Sequence, residues 1–377
     1  MEIKTGGFCD PEFENVRTVF NGLLSSGADL GSSFCATWKG RTVVDIWGGY
    51  LDEDKQMEWQ EDTLVNVFST TKTMSFLCAL LLADQGELDF NAPVSRYWPE
   101  FSANGKNQVL TWHLMNHAAG LSGLDEDMTS DDLYDWDKVT HALANQAPWW
   151  EPGTASGYHA LTQGYLIGEV VKRITGVSLG SFFNDHIATP MQADFYIGVP
   201  DSEFSRIGNL VPPPNSNVIG GEAAVDSIAA KTFKSPSISA LDSRTDAWRR
   251  AEIPAANGHG NARSVAKIHT LLANNGTSNG QQIISPETCR SVMMPRIQGV
   301  DLVFGTPMAF GLGFGLIPTE KNTRNLCFWG GWGGSRAIID QDNQLSFSYV
   351  MNKMADGLLG DNRGDQLAQA VFACLPR

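Results

Sequence analysis

Apolar positions change their spacing several times along the 377 residues, and each change marks an element. From 11 to about 26 they fall at Phe13, Val16, Val19/Phe20 and Leu23/Leu24, one face of a helix that Gly27 ends. Ser33-Phe-Cys-Ala-Thr-Trp38 and Thr42-Val-Val-Asp-Ile-Trp47 flank Lys39-Gly40 and read as a β-hairpin. Near the other end, 325–329, 335–339 and 345–350 predict three strands, with 340–344 turning between the last two, and a helix from about 364 to 374. Each end thus supplies a helix and strands, which pack most simply as one antiparallel sheet covered by helices. Helical spacing dominates the middle: 110–117, 131–146, and 161–175 capped by Gly176. The reading is an α/β (α+β) fold with two lobes. Residues 1–80 and 261–377 form the sheet lobe, and 81–260 a mainly helical lobe. Its last part, 200–260, is irregular around Pro212-Pro213-Pro214, and Ile228, Phe233, Ile238 and Trp248 offer anchors for an ordered rim.

One helix breaks the amphipathic pattern. Ser69-Thr70-Thr71-Lys72 leads into Thr73-Met-Ser-Phe-Leu-Cys-Ala-Leu-Leu-Leu-Ala83, apolar on nearly every face and therefore buried. Three residues at a helix start return to the same side, so Lys72 falls beside Ser69. A serine hydroxyl attacks a carbonyl only when a neighbour takes its proton. A lysine can do so once desolvation lowers its pKa. The N–H groups of the same helix start favour developing negative charge. On these residues alone, an N-cap serine followed by a solvated lysine fits as well.

Charge removes some partners. The formal net charge of -15 repels nucleic acid and anionic membrane surfaces. The six cysteines, Cys9, Cys35, Cys78, Cys289, Cys327 and Cys374, lie far apart, without the spacing of a zinc site or a small disulfide framework. The N-terminus carries Asp10, Glu12 and Glu14 rather than a signal-peptide core, and the apolar run 76–83 is too short to span a bilayer. A cytoplasmic protein without metal or organic cofactor is expected. Gly176-Val-Ser178-Leu-Gly180 matches G-x-S-x-G but follows a helix rather than a strand, so Ser178 reads as a helix N-cap. His113 and His117 lack the glutamate of H-E-x-x-H and read as structural hydrogen bonders. Tyr158 alone would pass for a core aromatic. His159 could touch the pocket or close its loop.

Several stretches, in order, alter that balance: Phe68-Ser-Thr-Thr-Lys-Thr, Leu110-Thr-Trp-His-Leu-Met-Asn-His117-Ala-Ala-Gly-Leu, Glu151-Pro-Gly-Thr154, Gly157-Tyr158-His-Ala-Leu-Thr-Gln-Gly164, Ile253-Pro-Ala-Ala-Asn-Gly-His-Gly260 and Trp329-Gly330-Gly331. Together the chain resembles the family VIII carboxylesterases of the serine β-lactamase and penicillin-binding-protein superfamily. The resemblance implies a β-lactamase/transpeptidase-like fold with the active site between sheet and helices, acting on small-molecule esters. It implies Ser69 as nucleophile, Lys72 beside it as base and Tyr158 as proton carrier, with either Lys72 or Tyr158 as the formal base, since coupled groups titrate as a set. The backbone N–H groups of Ser69 and Trp332 would form the oxyanion hole, with Trp329, Gly330, Gly331 and His159 towards substrate. The chain departs from the lactam-opening relatives in two places: Trp329 where they carry Lys or His, and Ala160 where class C enzymes carry Asn. An uncharged site suits neutral esters better than anionic lactams. Acyl transfer to an alcohol or amine would use the same residues.

Overall fold

The computed structural model describes residues 4–220, 224, 226–278, 280–317 and 325–376. Positions 221–223 and 225 of the predicted rim lie outside the described residues. Lys39 (φ 52°) and Gly40 (φ 75°) both take the left-handed conformation that a two-residue hairpin turn with the right twist requires. They join Gly31–Trp38 to Arg41–Gly49, paired antiparallel with a bulge after Ala36. Gly31–Trp38 pairs on its other side with Leu345–Met351, from Trp38↔Leu345 to Ser32↔Met351. The two ends of the chain therefore meet inside one sheet, as expected.

Among the described residues that sheet has nine strands. Beyond Arg41–Gly49 lies Thr5–Cys9; beyond Leu345–Met351 follow Arg336–Asp340, Leu326–Gly330, Gly315–Leu316, Pro307–Phe310 and Ile297–Val300, every pairing antiparallel. Adjacent residues of a strand face opposite sides. Ser346 donates to Ala266 O (3.0 Å) of the helix Ala262–Ala273, while Phe347 meets Phe372 of the helix Asn362–Cys374 edge-on. Helices thus cover both faces, and Glu14–Ser25 packs beside the C-terminal one.

The helix Lys72–Asp84 is buried at every position from 72 to 82, which is why its sequence shows no polar face. It packs against Thr162–Thr175, which ends at Gly176 (φ 80°). Two predicted helices are shorter than their apolar spacing. Thr111–Met115 stops because His117 turns left-handed (φ 58°), and 131–146 splits into a 3-10 turn and Trp136–Asn145, capped by Asp135. Within 200–260, Ile238 and Trp248 are fully buried while Ile228 and Phe233 are partly so, and the helices Ile228–Lys234 and Asp246–Arg250 make the described part of the rim ordered.

Candidate active site

A three-stranded ribbon places the serine. Val65–Asn66 and Phe195–Tyr196 pair on either side of His259–Gly260. The Asn66 amide donates to Ala256 O (2.9 Å) and Gly258 O (3.0 Å), locking this ribbon to the loop before it. Phe68 then takes φ 42°, an unfavourable conformation for a bulky side chain that its surroundings must enforce. Its ring is held between Trp332 (5.0 Å) and Trp248 (6.2 Å). Ser69 follows in the 3-10 turn Phe68–Thr71, which runs straight into the buried helix. Thr71 Oγ1 ties the turn down, donating to Phe68 O (2.5 Å) and accepting the Gly258 N–H (2.8 Å). A Cβ at Gly258 would lie 2.5 Å from that hydroxyl, so the loop can approach only as glycine.

Lys72 reaches back to the serine. Its Nζ lies 2.7 Å from Ala160 O, 2.9 Å from Ala255 O and 3.2 Å from Ser69 Oγ. The side chain has no solvent contact, and burial pushes its pKa well below the ordinary lysine value. A neutral amine has two N–H donors and one lone pair. In that form the two carbonyls would take the donors, leaving the lone pair toward the Ser69 hydroxyl. Ala160, whose side chain is apolar, serves through its main-chain carbonyl. Ser75 Oγ donates to Pro254 O (2.6 Å), and Gly164 lets the same loop come within 2.4 Å of where its Cβ would sit.

Tyr158 OH hydrogen-bonds the same Ser69 Oγ from the other side. Its ring stacks on Phe304 (4.5 Å), and Lys72 Nζ lies 4.9 Å from its centre. Burial above all, and the charge of Asp301 besides, push the phenol pKa up, so Tyr158 carries its proton at neutral pH. The N–H groups of Ser69 and Trp332 have no main-chain acceptor among the described residues. Ser335 Oγ donates to Val67 O (2.8 Å) and bonds Thr70 Oγ1 (2.9 Å), drawing the end of Leu326–Gly330 onto the serine turn. A Cβ on Gly331 would lie 2.2 Å from Val67 O, which explains a glycine there.

The other predicted contacts fall elsewhere. His159 spends both ring nitrogens on main chain: Nδ1 on Gly157 O (2.6 Å) and Nε2 on the Leu121 N–H (3.2 Å). It closes the loop, and its ring offers nothing further to a substrate. Trp329 is fully buried, stacked on His117 (5.3 Å) with Phe76 at its edge (5.8 Å), and its Nε1 has no partner among the described residues. Gly330 closes on Leu359, 2.4 Å from where its Cβ would be. His113 Nδ1 accepts the Leu110 N–H (3.2 Å) and His117 Nδ1 the His159 N–H (3.0 Å), both structural, and no metal-ligand cluster occurs among the described residues. Ser178 caps the helix Leu179–Phe183, accepting from the Ser181 N–H (3.2 Å). Sequence reasoning missed Asn66, Ser335 and Asp301, whose oxygen receives the Tyr158 N–H (3.1 Å). No spacing signals them, because each acts across more than a hundred residues of chain.

A helix-start serine flanked by a buried lysine and a phenol, beside an antiparallel sheet, defines an active-site serine enzyme of the β-lactamase/transpeptidase-like fold. The beta-lactamase family profile matches residues 16–372, and the chain belongs to that family. It is 31% identical over 374 residues to the esterase/beta-lactamase LipL of Mycobacterium tuberculosis, covering 94% of this chain and 84% of that one. A solved family VIII carboxylesterase superposes with TM-score 0.92 at 39% identity, over 99% of this chain and all (100%) of its own. A penicillin-binding protein homologue from Caulobacter crescentus does so with TM-score 0.90 at 36% identity, over 99% and 100%.

Proposed function

We propose that the protein hydrolyses small carboxylic esters through an acyl-enzyme on Ser69. The observation that carries this is the convergence of two groups on one oxygen: the Lys72 amine, with both N–H donors taken by carbonyls, and the Tyr158 phenol. Neutral Lys72 takes the Ser69 proton as Oγ bonds to the ester carbon. The carbonyl electron pair moves onto oxygen, facing the N–H groups of Ser69 and Trp332. As the ester C–O bond breaks, Tyr158 gives its proton to the departing alcohol, and Lys72, now an ammonium, replaces it. Water then attacks the acyl carbon by the reverse roles and frees the acid. Each step uses side chains and main chain of this protein.

A neutral ester is favoured because position 329 holds a buried indole, with no charge to pair with the carboxylate of a lactam. The relatives named as esterases support this reading. The six unpaired cysteines, four of them buried, suit a reducing compartment, and we place the enzyme in the cytoplasm. No described helix is long and apolar enough to cross a membrane. The test is turnover of p-nitrophenyl esters of increasing chain length beside a chromogenic cephalosporin, on the native chain and Ser69→Ala. Ester cleavage lost in Ser69→Ala supports the reading. Faster lactam than ester turnover, or full ester turnover by Ser69→Ala, overturns it.

A further inference from the structure

The turn that carries Trp332 has few side chains of its own to hold it. Gly331 precedes Trp332, and Gly333 (φ 99°) and Gly334 (φ 134°) follow it with positive φ. Glycines leave a backbone loose unless something outside fixes it. Inside the turn, Gly331 N–H donates to Ser335 O (2.8 Å) and Gly334 N–H to Gly331 O (3.2 Å). From outside, Gly357 O accepts the Gly333 N–H (2.9 Å), and Gly333 O accepts the Ala355 N–H (2.9 Å). The Trp332 N–H is left without a main-chain acceptor among the described residues. Its ring lies 5.0 Å from that of Phe68, the residue before Ser69.

Gly333 O has a second partner, and that partner is a buried charge. Arg363, in the first turn of the helix Asn362–Cys374, donates to it from Nη2 at 2.8 Å. The other nitrogens are engaged too. Nη1 donates to Asp29 Oδ1 (2.8 Å) and Lys353 O (2.8 Å), and Nε to Asp361 Oδ2 (3.1 Å). Asp29 Oδ1 also accepts the Tyr349 hydroxyl (2.6 Å), and its side chain has no solvent contact. One planar fork thus ties the glycine turn to positions 29, 353 and 361, and so to both ends of the segment whose residues 355 and 357 bond Gly333. A Cβ at Gly334 would come within 2.7 Å of Nη2 and 2.5 Å of Asp361 Oδ2, so turn and guanidinium fit closely. Hydrogen bonds from a charged donor are stronger than neutral ones. A lysine, with one nitrogen, cannot span the same segments.

We propose that Arg363 is a positioning residue for the reaction: braced by Asp29 and Asp361, it fixes the turn 331–335 so that the Trp332 N–H faces the oxyanion. It acts through the main chain of Gly333. This rests on the esterase reading and adds to it the residue that aims one of the two oxyanion donors.

The experiment compares the native chain with Arg363→Lys and with Arg363→Met, the latter paired with Asp29→Asn so that no buried carboxylate is left without its cation. The substrates are p-nitrophenyl butyrate and its thiono analogue, in which sulfur replaces the carbonyl oxygen. Sulfur accepts hydrogen bonds weakly, so the ratio of the two rates reads the oxyanion contact. A p-nitrophenyl phosphonate, adding once to Ser69, counts active sites, and thermal melts follow folding. The native chain should turn over the ester at least about tenfold faster than the thionoester. Per active site, kcat on the ester should fall about tenfold in Arg363→Lys and about 100-fold in the paired variant, with KM within about threefold. The thionoester should lose at least about threefold less than the ester. A role in folding alone lowers the melting temperature and the active fraction but leaves the ratio per site unchanged. If the paired variant fails to fold, Arg363→Lys decides alone. An unchanged ratio, native kcat per active site, or a native chain without preference for the ester overturns the proposal. No phosphonate adduct on the native chain sinks the esterase reading and the proposal with it. An adduct together with an unchanged ratio sinks only the proposal.

Discussion

Lys72 and Lys106 are both enclosed, both donate to main-chain carbonyl oxygens, and both have a pKa pushed down by burial, Lys106 to about 8. Lys106 bonds Ala103 O (2.8 Å) and Gln146 O, and its remaining side faces the Phe101 ring at 5.3 Å. Lys72 bonds two carbonyls as well, but its remaining side faces Ser69 Oγ at 3.2 Å. Burial therefore shifts both amines toward the neutral form, and the third direction decides what each can do. Over an aromatic face the amine is a brace for main chain. Opposite a hydroxyl it is placed for the proposed role of base.

The contrast can be broken most forcefully by Lys72→Met, which keeps the length and removes the lone pair. Ester turnover should fall by about 10⁴-fold while stability stays within about 2 kcal/mol of native, since a buried amine is replaced by a buried apolar chain. Turnover above about a tenth of native would put the base elsewhere. The pH profile comes next. Only neutral Lys72 accepts a proton, so activity is present above its folded pKa and drops about tenfold per unit as pH falls through it. That limb must lie below the ordinary lysine value of 10.5, because burial lowers the pKa. A limb that stays in place in Lys106→Met assigns it to Lys72.

Lys106→Met should leave kcat within about threefold and cost about 2–3 kcal/mol in chemical denaturation, as two carbonyls lose their donor. The sign of its pH dependence is opposite to that of a salt-bridged lysine. From about 8 to 10.5 the unfolded chain binds a proton that the folded chain does not, so this lysine's contribution to stability rises with pH there and vanishes in the variant. The smallest effect belongs to Trp329→Phe. Its Nε1 bonds nothing among the described residues, so a change of less than about threefold in kcat/KM is expected. A larger loss would put the indole N–H in contact with substrate.

Much of this could be read from the amino acids. The hairpin around Lys39-Gly40, the three late strands and the all-round apolar helix after Ser69 follow from local patterns, because each element's burial is written into its own spacing. The strand Thr5–Cys9 escaped, having two glycines, no alternation and an edge position where main-chain pairing to Arg41–Gly49 does the holding. Ile297–Val300, Pro307–Phe310 and Gly315–Leu316 escaped too, being two to four residues long and separated by turns. In the site, spacing suggested Ser69 and Lys72, and only the family resemblance singled out Tyr158. The carbonyls of Ala160 and Ala255 were not legible, since any residue supplies one. His159 and Trp329 carried the right chemistry, but their packing, not their type, sets where the polar atoms point.

The pairing of Gly31–Trp38 with Leu345–Met351 also has a meaning in time. A ribosome delivers the serine early, long before Tyr158, the loop 253–260 and the strands that draw Gly331 onto Val67. Until residues 160 and 255 emerge the lysine lacks its socket, and until the segment 345–351 emerges the first hairpin lacks its neighbour. An unfinished chain thus holds the serine without the phenol and the sheet that complete its surroundings, and the pocket closes only once synthesis has passed 345–351.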